Sequence, residues 1–280
     1  MRVMVTGDLG FIGGELKSKL IELGHDVIGL DKWIFTNYNR TRIPFDTFGR
    51  MDAIFHLGAI SNTLTNDLDK TMRFNTLMTA DLAEFCEREE IPLIYSSSAS
   101  VYGNSYPDIS PQNLYAWSKY LGERYVTAVG GVSLRYFNVF GKSEYKKLNM
   151  ASVATQAFLR FRNSKRPFHL FPGKPKRDFI HVSDVVQANL DAWQLAKIPG
   201  IDRSLQFDVG SAESMTFEEV LDLMEVPYIY TASDSVPAGY QLETKARKDR
   251  WIPNWKPALP NREQFLIHRN DLLLLTSNRF

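Results

Sequence analysis

The stretch MRVMVTGDLGFIGGEL, residues 1–16, decides the fold. Arg2 to Thr6 is a short, β-rich, apolar run. It enters a turn in which Gly7, Gly10 and Gly13 are spaced GxxGxxG at the opening of a helix predicted near 13–23. Small residues there permit a tight turn, let the backbone approach a pyrophosphate and allow close strand–helix packing, while the helix N-terminus attracts an anion. A second strand over Asp26 to Asp31 ends eighteen residues after Gly13 in a carboxylate, where an acidic residue can bond an adenosine ribose. Lys32 follows it, so the pair is open between NAD, held through ribose hydroxyls by Asp31, and NADP, whose phosphate suits Lys32.

Outward from this start, strand-like and helical stretches alternate, which argues for an α/β protein with a parallel sheet. Buried strands are predicted in DAIFHLGA (52–59), PLIYSSS (92–98) and GVSLRYFN (131–138), with helices near 68–88 and 115–129. After Gly141 a basic polar loop, a helix near 150–162 and the run FHLF (168–171) mark a second lobe. DFIHVSDVVQANLDAWQL (178–195) and SLQFDVG (204–210) read as a return to the sheet. The expected architecture is a Rossmann-like doubly wound sheet with a smaller mixed α/β substrate lobe. Residues 1–141 and 178–210 form the dinucleotide-binding domain, and 142–177 and 211–280 the substrate-binding lobe.

Composition narrows the partners. A chain of 280 residues with 44% apolar and 23% charged residues and a net charge of +1 is ordinary for a globular enzyme, and gives no electrostatic reason to expect nucleic acid. Cys86 is the sole cysteine, which excludes an internal disulfide and fits a reducing, cytoplasmic compartment. Neither a signal peptide nor a membrane span is expected. The five histidines lack metal-ligand spacing, so structural roles and no metal are expected.

Tyr115 and Lys119, in YAWSK, share one helical face. A phenol is a poor base at neutral pH, but a neighbouring ammonium and an oxidised nicotinamide favour the phenolate. Ser98, ending its strand, can hydrogen-bond the reacting hydroxyl. TGDLGFIG, FHLGA, SSSASVYG, YAWSK and RYFNVFG, in this order, resemble the extended short-chain dehydrogenase/reductases that remodel sugar nucleotides, the NAD-dependent epimerase/dehydratases. The resemblance covers nearly the whole chain. Dehydratases of that group carry an acidic pair just after the catalytic Ser or Thr; here Ala99 and Ser100 stand there, which disfavours elimination and leaves epimerisation or simple oxidoreduction.

Within the family, AIFHLGAIS, CEREEIPLIY, NMASVATQ, LFPG, KRDF and GSAESMTF are similar to the heptose 6-epimerases, which invert C6 of an ADP-linked heptose. That resemblance implies a tightly bound NAD or NADP, a sugar-nucleotide substrate and a homo-oligomer paired through the helices near 68–88 and 115–129. It implies cofactor contacts at Gly7, Gly10, Phe11, Ile12, Gly13, Asp31, Lys32, Leu57, Gly58, Ala59, Ser61, Asn75, Tyr115, Lys119 and Val139. It implies substrate contacts at Ser98, Asn138, Asn149, Gln156, Phe171, Pro172, Gly173, Lys174, Arg177 and Tyr240. Lys147 matches the family's second acid/base, opposite the tyrosine; it also belongs to a small basic run with Lys142 and Lys146 and can be read as a solvated loop lysine. Arg177 can pair with a diphosphate or with its neighbour Asp178.

Three departures bear on this assignment. The segment between Asp31 and Asp52 is short for the family, as is the loop between Ser98 and Tyr115, and Gly239 precedes Tyr240 where a basic residue is usual. A sugar-nucleotide 4-epimerase or 4-reductase relying on Tyr115 alone is the alternative enzyme. A non-catalytic dinucleotide or sugar-nucleotide sensor that kept the fold is the alternative of another class.

Overall fold

The computed structural model describes residues 1–31, 45–198, 205–232 and 241–277. In chain order the elements are β1 (Arg2–Thr6), α1 (Phe11–Glu22), β2 (Asp26–Leu30), β3 (Ala53–His56), α2 (Leu68–Met72), α3 (Met78–Arg88), β4 (Leu93–Ser98), α4 (Leu114–Ala128), β5 (Val132–Tyr136) and β6 (Asn138–Phe140). They continue with α5 (Val153–Ser164), β7 (Phe168–Leu170), β8 (Lys176–His181), α6 (Val182–Ala196), β9 (Gln206–Val209), β10 (Ser214–Thr216), α7 (Phe217–Leu223), β11 (Tyr228–Tyr230) and α8 (Asn261–Ser277).

The chain divides into two units, one of Met1–Tyr136, Val185–Asp208 and Arg250–Trp255, the other of Phe137–Asp184, Val209–Asp249 and Lys256–Phe280. The first is built on a six-stranded sheet in the order β2-β1-β3-β4-β5-β9, parallel through β1 to β5. Every residue of β3 and β5 is buried, as sheets covered on both faces require, including the polar His56, Ser133 and Arg135. Met4, Ile54, Leu93 and Tyr95 pack against Met78, Leu82, Phe85 and Cys86 of α3. The strand order reverses at β1 and β3, and open α/β sheets bind ligands beyond the strand ends at such a switch point.

The second unit holds the three-stranded sheet β10-β8-β6 and the two-stranded sheet β11-β7. Its core centres on Phe140, stacked on Phe265 with ring centroids 4.1 Å apart, with Phe158, Phe179 and Leu272 around them.

One expectation fails here. The run from 178, read as rejoining the large sheet, instead forms β8, which pairs with β6 and β10 in the second unit; only α6 and β9 return to the first. Asp178 explains it. Its fully buried carboxylate accepts from the backbone amides of Ser211, Ala212 and Ala246, fixing β8 to two segments of its own unit. The helix predicted over 68–88 is present over those residues, with a wide π turn, Arg73–Leu77, between α2 and α3.

Candidate active site

The first strand ends where it must turn sharply. Gly7 adopts φ +70°, and a Cβ there would lie 2.7 Å from the Gly58 backbone. A Cβ on Gly13 would collide with the Gly7 carbonyl. The Gly10 amide donates to the Gly7 carbonyl at 2.9 Å, and Gly10 caps α1 without a side-chain hydrogen bond. No side chain of the cap residue closes off this end of α1, and a helix N-terminus preceded by glycine suits an anion. Phe11 and Ile12 begin the helix. The Asp31 carboxylate accepts from the Leu9 amide at 3.3 Å, bringing the end of β2 to the glycine turn. Lys32 lies outside the described residues. This cradle fits a dinucleotide: glycine where a pyrophosphate approaches, a helix N-terminus with no side-chain cap, and a carboxylate beside the loop.

Opposite the glycine turn, the segment after β3 carries Leu57, Gly58, Ala59 and Ser61. A directional hydrogen-bond chain fixes it. Thr79 Oγ1 donates to the Asn75 carbonyl at 2.7 Å, so it must accept from His56 Nε2 at 2.9 Å. His56 Nδ1 then accepts from Thr6 Oγ1 at 2.7 Å, and Thr6 Oγ1 accepts from the Gly58 amide at 2.9 Å. Burial and the nearby Lys119 push His56 down to about 3, so the neutral ring that this chain needs is the one present.

Asn75, in the π turn, closes the arrangement. Its Oδ1 accepts from the Ile60 amide at 2.7 Å, and its Nδ2 donates to the Ile60 carbonyl and to Ser118 Oγ. The side chain expected to touch cofactor is thus engaged in clamping the 57–61 segment and tying it to α4. Single-turn π bulges of this kind frequently mark functional positions.

Across the sheet, β4 delivers Ser98 and α4 delivers Tyr115 and Lys119. Asn113 caps α4 by accepting from the Ala116 amide at 2.9 Å, which places Tyr115 in the first turn. Tyr115 is 9% exposed, and burial raises its phenol while a hydrogen bond from Ser98 opposes the rise. Lys119 is 3% exposed; its Nζ donates to the Ser96 carbonyl at 2.6 Å and lies 5.0 Å over the Tyr95 ring. Burial pushes it down to about 7, with Glu123 opposing.

Beneath them lies a group that sequence reading missed. Glu123, one turn beyond Lys119, accepts from Ser97 Oγ at 2.6 Å and from both Arg135 Nε and Nη2 at 2.8 Å. Arg135 also donates to Tyr102 Oη at 2.9 Å, and Tyr102 and Tyr106 both donate to Asp208. The spacing from Tyr115 to Lys119 to Glu123 was a usable signal for the first step; Asp208, 106 residues from Tyr102, left none.

The second unit holds the other expected residues. Asn138 and Val139 lie on β6. Lys147 and Asn149 lie in the helical stretch Lys142–Met150, where burial lowers the Lys147 amine and Glu144 opposes. Gln156, on α5, donates to the Asn149 and Ala151 carbonyls at 3.1 and 2.7 Å, bracing that stretch. Glu144 anchors its other end: it is fully buried and accepts from the Ser152 amide, Ser152 Oγ and Thr155 Oγ1, with His268 Nε2 at 2.7 Å from the same threonine. Sequence reading missed Glu144 and His268 as supports. Phe171, Pro172, Gly173 and Lys174 form the turn before β8. Arg177 is 8% exposed, lies 5.8 Å over the Phe217 ring and donates to the Lys176 carbonyl, while the Asp178 carboxylate is occupied by backbone amides. Tyr240 lies outside the described residues.

A parallel sheet with a glycine-lined switch point, buried Tyr115 and Lys119 and a half-buried Ser98 on the tyrosine defines a Rossmann-type dinucleotide-binding protein. Comparison with known proteins carries this further. Residues 3–201 match the NAD dependent epimerase/dehydratase family. The chain is 32% identical over 287 aligned residues to the ADP-L-glycero-D-manno-heptose-6-epimerase of Brachyspira hyodysenteriae, covering 87% of this chain and 88% of that protein. In fold it is similar to the ADP-L-glycero-D-manno-heptose-6-epimerase of Helicobacter pylori (TM-score 0.80, 23% identity, 98% of this chain and 95% of that one). It is similar also to the UDP-N-acetylglucosamine 4-epimerase of Methanobrevibacter ruminantium M1 (TM-score 0.83, 23% identity, 98% of each chain). The chain belongs to the NAD dependent epimerase/dehydratase family. Among the described residues no helix is long and apolar enough to cross a membrane.

Proposed function

We propose that this protein is an NAD-dependent sugar-nucleotide epimerase of the heptose 6-epimerase type, which inverts a carbon bearing a hydroxyl by way of a transient ketone. The observation that carries the reading is the buried Tyr115 phenol, hydrogen-bonded by Ser98, in a chain 32% identical to such an epimerase. Gly7, Gly10, Phe11, Ile12, Gly13 and Asp31 on one side, and Leu57 to Ser61 on the other, would hold the dinucleotide. NAD bound there supplies a hydride acceptor and donor for the reacting carbon.

The chain's own residues handle the proton and the substrate. Tyr115, as phenolate, takes the hydroxyl proton of one epimer; Lys119 stabilises that phenolate, and Ser98 donates a hydrogen bond to the ketone oxygen. Inversion returns hydrogen to the other face of the carbon, so the oxygen needs a second proton donor, and Lys147 fills that role. Its lowered amine suits a group that must give and regain a proton near neutral pH. Asn138, Asn149, Gln156, the 171–174 turn, Arg177 and Tyr240 form the substrate side, with Arg177 as the diphosphate partner. Ala99 and Ser100 supply no acid for elimination, which keeps dehydration out of the reaction. A cytoplasmic location suits the lone buried Cys86. The exposed Leu68, Trp117 and Tyr125 suit pairing of copies through α2 and α4, which a mass measurement in solution checks.

The test is NMR of the purified protein with ADP-heptose and with UDP-hexoses, alongside Lys147→Met. The parent should invert C6 of the heptose without net NADH formation. Lys147→Met should lose inversion while keeping hydride exchange with an aldehyde analogue. Parent-like inversion by that variant removes the second base and favours a single-tyrosine 4-epimerase.

A further inference from the structure

An anion-binding turn is a poor place for a carboxylate, yet Asp8 stands inside this one, between Gly7 and Gly10. Its side chain is turned under the loop and is only 6% exposed. Lys17, two turns into α1, reaches back to it with Nζ 2.6 Å from Oδ2. β2 makes the room: a Cβ on Gly29 would collide with that carboxylate and lie 2.9 Å from Lys17 Nζ. Three separate segments are therefore shaped around one ion pair directly beneath the glycine turn.

We infer that Lys17 is a positioning residue for the dinucleotide site, holding the Asp8 carboxylate beneath the loop and cancelling its charge there. An uncompensated negative charge inside the loop weakens the pull of the α1 N-terminus on an anion. A buried carboxylate within the span of two residues would oppose a pyrophosphate through low-dielectric surroundings, where charges act further than in water. With Lys17 in place the Asp8 charge inside the loop is compensated. The inference rests on the glycine turn being the dinucleotide site.

The signs of four measurements test it. NADH affinity is measured by fluorescence titration at low and at 0.5 M salt for the parent, Asp8→Asn, Lys17→Met and the double variant, with thermal unfolding of each protein alone. Lys17→Met should weaken NADH binding on the order of tenfold at low salt, as Coulomb interaction at about 10 Å and intermediate dielectric implies. Asp8→Asn, which leaves the lysine charge uncompensated, should tighten binding several-fold and steepen its salt dependence. The double variant should return to within about twofold of the parent. A purely structural ion pair predicts that both single variants lose stability and that neither tightens binding; that pattern, or unchanged affinities, overturns the inference. Asp8→Asn keeps the test decisive if Lys17→Met does not fold. A folded parent that binds no NADH overturns the reading of the turn itself, which is a separate outcome.

Discussion

Tyr115 needs three things at once: burial, a hydrogen-bond donor on its oxygen and a cation nearby. Its burial and the Ser98 hydrogen bond supply the first two, and Lys119, buried one turn further along α4 with its Nζ on the Ser96 carbonyl, is the cation assigned to the third. Tyr115→Phe removes only the ionisable oxygen, so turnover should fall about 10² to 10⁴-fold while NADH affinity and the urea midpoint stay close to the parent's. Near-parent turnover would exclude Tyr115 as the acid/base. At this scale much was legible. The glycine spacing and YAWSK name their own chemistry, because each motif is short and its spacing is set by local geometry. Asn75 was legible only as a position. That its amide closes on Ile60 depends on the π turn, and no periodicity announces an extra residue in a helix.

Among elements, the site is held by buried polar links between strand ends and helices. The Glu123–Arg135 pair joins α4 to β5 and holds Ser97 of β4. Removing one partner of a buried pair leaves the other charge uncompensated, so Glu123→Ala should lower unfolding free energy by about 3–5 kcal/mol in urea titration. A loss under 1 kcal/mol would show that the pair holds nothing. His56 joins β1, β3 and α3 as a neutral ring. Folded, it titrates at about 3; unfolded, near the ordinary 6.5, so between these values the unfolded chain binds the extra proton. Its contribution is intact above pH 6.5 and declines as pH falls toward 3. Between pH 6 and 4.5 the parent should lose about 1.4 kcal/mol per pH unit more than His56→Asn does, read from urea midpoints. Parallel pH slopes would contradict the neutral-ring assignment. These links escaped sequence reading because their partners lie 12 to 50 residues apart on different elements and buried polar residues in strands have no period. The misplacement of β8 has the same origin: an apolar run fits either sheet, and a carboxylate meeting three distant amides decides which.

For the whole molecule, the α/β alternation and the order of the motifs carried the fold class, since βα repetition fixes a parallel sheet and its switch point. The division into units was less legible, because the chain leaves and re-enters each unit and only long-range contacts record where. Lys147, Asn149, Gln156 and Arg177 belong to the second unit, and Ser98, Tyr115 and Lys119 to the first. The central claim is that the carbon-bound hydrogen leaves as hydride and returns to the same carbon within one turnover, never entering water. Substrate deuterated at C6 tests it most directly, with NMR of the epimer formed in ordinary water. The account predicts that the inverted product keeps its deuterium at C6 and that NADH does not accumulate. Product that has exchanged deuterium for solvent hydrogen at C6 would show inversion through a carbanion, and would contradict it.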